Sequence, residues 1–246
     1  MKKYLLLFAF ILVGCSDPVD SALFLERSGL KYLPNSEEPY SGSAFSLNMN
    51  GQKRTESKWE DGKMTDVILW YENGQKEGEA HYTEDGRQDG RTTKWYENGQ
   101  KEEESNWEDG NKKGLLTNWN EKGQMISKIE YKDNMENGLS KSWYENGQKE
   151  KVASFKNSML DGNSTLWYKN GQKKSECYYK DNNMNGKSIF WYENGQKKME
   201  GTYKDDKYNG AFVDWYENGQ KMSESNWENG IVIGDYSEWY ENGQKK

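Results

Sequence analysis

A period of 24 residues governs this chain, and it leaves few folds open. The glycine of an Asn-Gly-Gln turn, or of its variant at Gly123, recurs at Gly51, Gly74, Gly99, Gly123, Gly147, Gly171, Gly195, Gly219 and Gly243. The steps are 23, 25 and then 24 throughout. Four residues before the turn glycine stands Trp70, Trp95, Trp119, Trp143, Trp167, Trp191, Trp215 or Trp239, and only the first unit departs, with Leu47. Eight residues after it stands Trp59, Tyr82, Trp107, Tyr131, Phe155, Tyr179, Tyr203 or Trp227. All 11 tryptophans fall in these two columns, so the repeat is the folding unit.

A third column marks the join between units. It holds Gly90, Gly114, Gly138, Gly162, Gly186, Gly210 and Gly234, with Asp66 as the exception. Asn-Gly tolerates positive φ at both positions and is a strong short-turn signal. A second turn lies half a period away, as Glu-Asp-Gly at 60–62 and 108–110 and as Lys-Asp-Asn at 132–134 and 180–182. A Gly or Asn every eleven or twelve residues and the absence of an apolar 3.6-residue period argue against helix. The expected fold is all-β: an elongated, twisted, single-layer antiparallel array of about eight hairpins, the last incomplete. Sixteen strands at the usual spacing would extend about 75 Å, too far to lie flat.

Composition agrees with a thin sheet. From Leu47 onward there are only 17 Leu, Ile and Val residues, too few for an ordinary globular core. The 11 Trp and 17 Tyr must supply the burial, and they also argue against disorder. A small residue sits two before most second-column aromatics: Ser57, Ala80, Ser105, Ala153, Cys177, Gly201 and Ser225. That suggests an aromatic lying over a small neighbour on one buried face. With a three-residue Glu-Asn-Gly loop, the reading favoured here, Trp143 shares a face with Leu139, Ala153 and Phe155. A two-residue Asn-Gly loop would put Tyr144 there instead.

The first residues are of another kind. Lys2 and Lys3 precede an apolar run from Tyr4 to Val13, too short to span a bilayer but of the length of a signal-peptide core. Leu12-Val13-Gly14-Cys15 resembles the lipobox of bacterial lipoproteins, which implies cleavage between Gly14 and Cys15 and acylation of Cys15. The expected organisation is therefore a signal peptide at 1–14, a lipidated tether and cap at 15–46, and the repeats at 47–246. The tether-and-cap segment holds all three prolines, and its cluster Ala22-Leu23-Phe24-Leu25 is expected to dock on the first repeat. The expected location is the cell envelope, held at a membrane through Cys15.

Trp143-Tyr144-Glu145-Asn146-Gly147-Gln148-Lys149, followed by Tyr or Phe, Lys-Asp and Gly, resembles the variant MORN repeat of bacterial proteins. The resemblance covers about 47–246 and implies an elongated hairpin array. Related proteins grouped as YwqK-type are assigned to toxin–antitoxin systems as the antitoxin, so the resemblance also implies a toxin as one partner.

No catalytic constellation is visible. His81 is the only histidine and takes a position that is Asn106, Ser154, Thr202 or Asn226 elsewhere. Apart from Cys15, Cys177 is the only cysteine, in the small-residue column, so neither an internal disulfide nor a zinc site is expected. No calcium-loop spacing occurs. The expectation is a non-enzyme without metal or cofactor. The net charge of -7 argues against nucleic acid. The leading expectation is an envelope-anchored scaffold for an unidentified protein partner. The alternative is carbohydrate or cell-wall binding through the aromatic ladders, and a third is membrane association through the repeats themselves, which the charge disfavours.

Overall fold

The computed structural model describes residues 17–246. No α-helix occurs among them; a single 3₁₀ turn spans Ser21–Leu23. The repeats form one long, twisted, open sheet of 20 strands. Each strand pairs antiparallel with its chain neighbours, as Met135–Trp143 does with Met125–Lys132 and with Lys149–Lys156. The exception is Val19–Asp20, which pairs parallel with Gly42–Leu47 at the N-terminal edge. The first hairpin therefore starts at Gly42, ahead of the boundary at 47 that the periodicity suggests, because the periodicity marks the turn and not the strand leading into it. Phe24 packs on the rings of Tyr40 and Trp59 at 5.0 and 5.1 Å, while Leu23 and Leu25 stay exposed.

Both kinds of turn follow from their residues. At Tyr144–Gln148 the amide of Gly147 donates to Tyr144 O and that of Tyr144 to Gln148 O, each at 2.8 Å. Gly147 has φ +81°. This is a three-residue loop: a type I turn closed by a left-handed glycine, with a bulge beside it. Trp143 then pairs with Lys149 but Ser142 with Lys151, so Glu150 is extra. The opposite turns are two-residue loops with positive φ at both positions, such as Asp133 (50°) and Asn134 (64°), the twist that matches a right-handed hairpin; the exception is Thr83–Arg87, a three-residue loop closed by Gly86.

One residue from each strand builds a buried row across the sheet. It runs through Ala44, Ser57 and Val67 to Ser140, Ala153, Ser164 and Cys177, each directly opposite its neighbour along these two stretches. Ala44 and Ala153 are fully buried. We call this the inner face. The second-column aromatics share it, and most lie opposite a join glycine: Trp107 opposite Gly90, Tyr131 opposite Gly114, Phe155 opposite Gly138 and Tyr179 opposite Gly162, whereas Tyr82 bridges Gln88. Trp59, Trp107 and Trp227 also donate their indole N–H to the serine two residues before, at 2.8, 3.1 and 2.8 Å. All seven join glycines have positive φ, from +74° to +123°, which is what the column requires; at Gly162 (φ +118°) a Cβ would also stand 2.9 Å from Ser154 Cβ, where the neighbouring strand bulges.

The first-column tryptophans lie on the other, outer face, which corrects the expected grouping of Trp143 with Ala153 and Phe155. Ser140, not Leu139, faces Ala153. Trp143 shares its face with Leu139 and Lys141 by strand alternation, and the bulge brings Lys149 to that face as well.

Candidate interaction surface

The Trp-Tyr-Glu-Asn-Gly-Gln-Lys motif works between repeats. The Tyr144 hydroxyl donates to Trp167 O of the next unit at 2.7 Å, and Asn146 Nδ2 donates to Lys169 O at 2.8 Å. The Asn146 side-chain oxygen accepts from Gln148 N at 3.0 Å, fixing its own loop. Lys149 Nζ stands 5.8 Å from the centre of the Trp167 ring. Gln148 rests on Gly171, where a Cβ would collide with its Oε1. This repeat thus latches onto its successor through a hydroxyl, an amide, a cation and a glycine-sized gap.

The latch recurs along the edge. Tyr71, Tyr96, Tyr168, Tyr192 and Tyr216 reach the next tryptophan carbonyl at 2.7–2.9 Å. Burial, assisted by nearby glutamates, pushes the phenols of Tyr71, Tyr96, Tyr144, Tyr168 and Tyr192 above the usual tyrosine range. Lysines stand over Trp70, Trp95, Trp119, Trp167, Trp191, Trp215 and Trp239 at 5.1–5.8 Å. At the first join, where Asn48 replaces tyrosine, Arg54 donates to Trp70 O at 2.7 Å instead.

One join lacks all of it. The turn at 120–124 reads Asn-Glu-Lys-Gly-Gln and is followed by Met125. Among the described residues, no side chain donates to Trp143 O, no lysine covers the Trp143 ring, and nothing lies within 4 Å of a Cβ on Gly147. The opposite edge is unbroken here: Asn134 N donates to Lys112 O at 3.2 Å and Ser158 N to Glu136 O at 2.9 Å.

The outer face changes character at the same place. Its central column holds Glu56, Glu79 and Glu104, then Lys128 and Val152, then Glu176, Glu200 and Glu224. Each glutamate pairs with the lysine three residues before it, at 2.5–3.1 Å. Lys128 instead stands directly opposite Lys141, and no ion pair forms between Gly114 and Leu160 among the described residues.

The remaining candidate residues are isolated. His81 Nδ1 lies 2.6 Å from Asp66 Oδ1, with its side chain about half exposed. Burial alone would raise Asp66, but bonds from Thr65 and His81 hold its carboxyl below the usual range. Cys177 is buried, and burial pushes its thiol up. No group of three or more His, Cys, Asp or Glu side chains suited to a metal lies together among the described residues. No helix among them is long and apolar enough to cross a membrane. Gly14 and Cys15 lie outside the described residues.

A sheet of stacked hairpins, joined turn to turn, defines a repeat array in which each unit contacts its neighbours. The family described as "MORN repeat variant" matches residues 66–84, 88–109, 136–157, 160–181, 184–205 and 208–229, just over half of the chain, and the chain belongs to that family. The matches skip 110–135, which contains the divergent turn. No protein of curated function matches. Among solved structures the chain is similar to a chain of TcdB2-TccC3, at 9% identity over 84% of this chain with a TM-score of 0.22. It is also similar to one of TcdB2-TccC3-TEV, at 10% identity over 82% with a TM-score of 0.18. The chain spans only 15% and 16% of the length of those two.

Proposed function

We propose that this chain is a non-catalytic repeat scaffold, held at a membrane of the cell envelope through an acylated Cys15, that binds another protein. The observation that carries the reading is the use made of the repeated motif. Its tyrosine, asparagine, glutamine and lysine are spent on bonds between repeats, which leaves the array rigid and its broad faces available. Repeat arrays of this kind present extended surfaces to partners. The anchor rests on Lys2-Lys3, the apolar Tyr4–Val13 run and Leu12-Val13-Gly14-Cys15. A toxin held for neutralisation is the finer identity implied by the YwqK-type likeness. Sugar stacking on the first-column tryptophans is less favoured, because lysines already cover seven of those eight rings.

The test is cross-linking in native cells, with a Cys15→Ser form as control. The expected outcome is one stoichiometric protein partner and loss of membrane fractionation in the control. Recovery of glycan fragments without a protein would overturn the scaffold reading. Unchanged fractionation of Cys15→Ser would overturn the anchor.

A further inference from the structure

Three departures from the repeat coincide on the outer face. The carboxylate column gives way to Lys128 and Val152. Among the described residues, the Trp143 ring is the one first-column tryptophan without a lysine over it. Leu115 and Leu139, on the same face, are 36% and 42% exposed. Leu139, Lys141 and Trp143 follow one another along a single strand face, with Lys128 directly across from Lys141 on one side and Val152 on the other. Like charges directly opposite cost stability, and local rules are broken most often where function requires it. One carboxylate is close: Glu130, opposite Leu115, turns its Oε2 toward the Leu139 amide at 3.4 Å and forms no ion pair.

We propose that this outer-face patch, Leu115 to Val152, docks an acidic segment of a partner protein. Its carboxylates meet Lys128 and Lys141, and an apolar side chain covers Leu139 and Trp143. Charge complementarity selects the occupant. The chain as a whole carries -7, so the unpaired lysines form a local positive island between the glutamate rows that end at Glu104 and resume at Glu176. Six strand spacings separate those rows, about 29 Å. That is wide enough for an extended or helical segment. A flat anionic bilayer would press on both carboxylate rows at once, so a narrow polypeptide is the better match. The proposal rests on the scaffold reading and assigns it a face and a partner chemistry.

A suitable probe is a fluorescein-labelled dodecapeptide with glutamates flanking two central leucines, titrated by anisotropy against the full chain in mild detergent. Lys128→Glu and, separately, Val152→Glu each restore the residue of the flanking repeats. The glutamate of Val152→Glu gains Lys149 as the same partner that Lys173 is to Glu176, so neither variant should unfold the sheet. Each is expected to weaken binding about 10-fold, Lys128→Glu by removing an opposite charge and Val152→Glu by setting a like charge against the acidic segment. Lys204→Glu, an equal charge change on an exposed lysine outside the patch, should change it less than 2-fold. Equal losses in Lys128→Glu and Lys204→Glu, or no saturable binding by the unaltered chain, would refute the proposal. So would binding to phosphatidylglycerol vesicles that Lys128→Glu abolishes while peptide binding persists. If the double variant Lys128→Glu, Val152→Glu still cross-links a cellular partner at full yield, the patch fails and the scaffold reading stands. If the unaltered chain cross-links none, the scaffold reading fails whatever the peptide does.

Discussion

Two joins in this molecule have the same kind of turn and different side chains. Between the turns at 168–172 and 192–196, Tyr168 bonds Trp191 O at 2.8 Å, Asn170 bonds Glu193 O at 2.8 Å and Lys173 covers Trp191 at 5.8 Å. Between the turns at 120–124 and 144–148, Asn120, Lys122 and Met125 hold the same positions and none of these contacts forms. Strand pairing continues through both joins. Backbone hydrogen bonds therefore make the sheet continuous, while the motif side chains decide how firmly one turn edge is bound to the next. In a nearest-neighbour array that makes the central join the weakest interface term along this edge.

The sharpest way to break the comparison is to convert a strong join into a weak one. Tyr168→Phe, Asn170→Ala and Lys173→Met together remove two hydrogen bonds to the next turn, the bond from Gln172 N that fixes the Asn170 loop, a cation–π contact and the exposed Lys173–Glu176 ion pair. At about 0.5–1.5 kcal/mol for each bond, 0.5–1 for the cation and 0.2–1 for the ion pair, the array should lose about 2–6 kcal/mol. Hydrogen exchange should show the amides of 168–172 and 192–196 opening at the rate of those around 120–124 and 144–148. Unchanged protection would mean that the edge contacts contribute nothing beyond the sheet.

The reverse change is expected to have a smaller effect. Asn120→Tyr, Lys122→Asn and Met125→Lys install the motif at the central join. The gain should be about 1–2 kcal/mol by denaturant titration, below the sum of the same terms, because the neighbouring Lys128 and Lys141 remain opposed. If the gain matches the loss of the first experiment, the two joins differ only at the turn edge and the outer face plays no part in their coupling.

Much of this was legible in the residues. The period, both turn types, the three-residue loop and the small-residue column two before the aromatics all follow from spacing and turn chemistry. The face of Trp143 was not legible, because one bulge residue, Glu150, reverses the alternation between the turn and the strand. Nor was the role of the motif. Tyr144 and Asn146 bond residues 23 positions away, and a one-dimensional pattern shows that such residues recur without showing whether they serve their own hairpin or the next. Once that is known, the divergent Asn120, Lys122 and Met125 become the most informative residues in the chain. The lipid anchor stands on sequence alone, since Gly14 and Cys15 lie outside the described residues.

The latch tyrosines also give the comparison a pH dependence, with the smallest expected effect. Burial first, then neighbouring carboxylates, holds the phenols of Tyr144, Tyr168 and Tyr192 above their ordinary value. In the unfolded chain they release protons near pH 10, while in the folded array they keep them to higher pH. The folded state thus binds more protons in that window, so stability falls as pH rises. The contribution is complete below about pH 10 and is lost as pH climbs through the raised values. Asn120, at the central join, has no proton to lose. Unfolding titrations between pH 9 and 12 should therefore give a shallower decline for Tyr168→Phe with Tyr192→Phe than for the unaltered chain. The rings are only partly buried, so the difference should be modest. An identical decline would mean that these hydroxyls ionise alike in both states, which would leave the asparagine and lysine contacts to carry the latch.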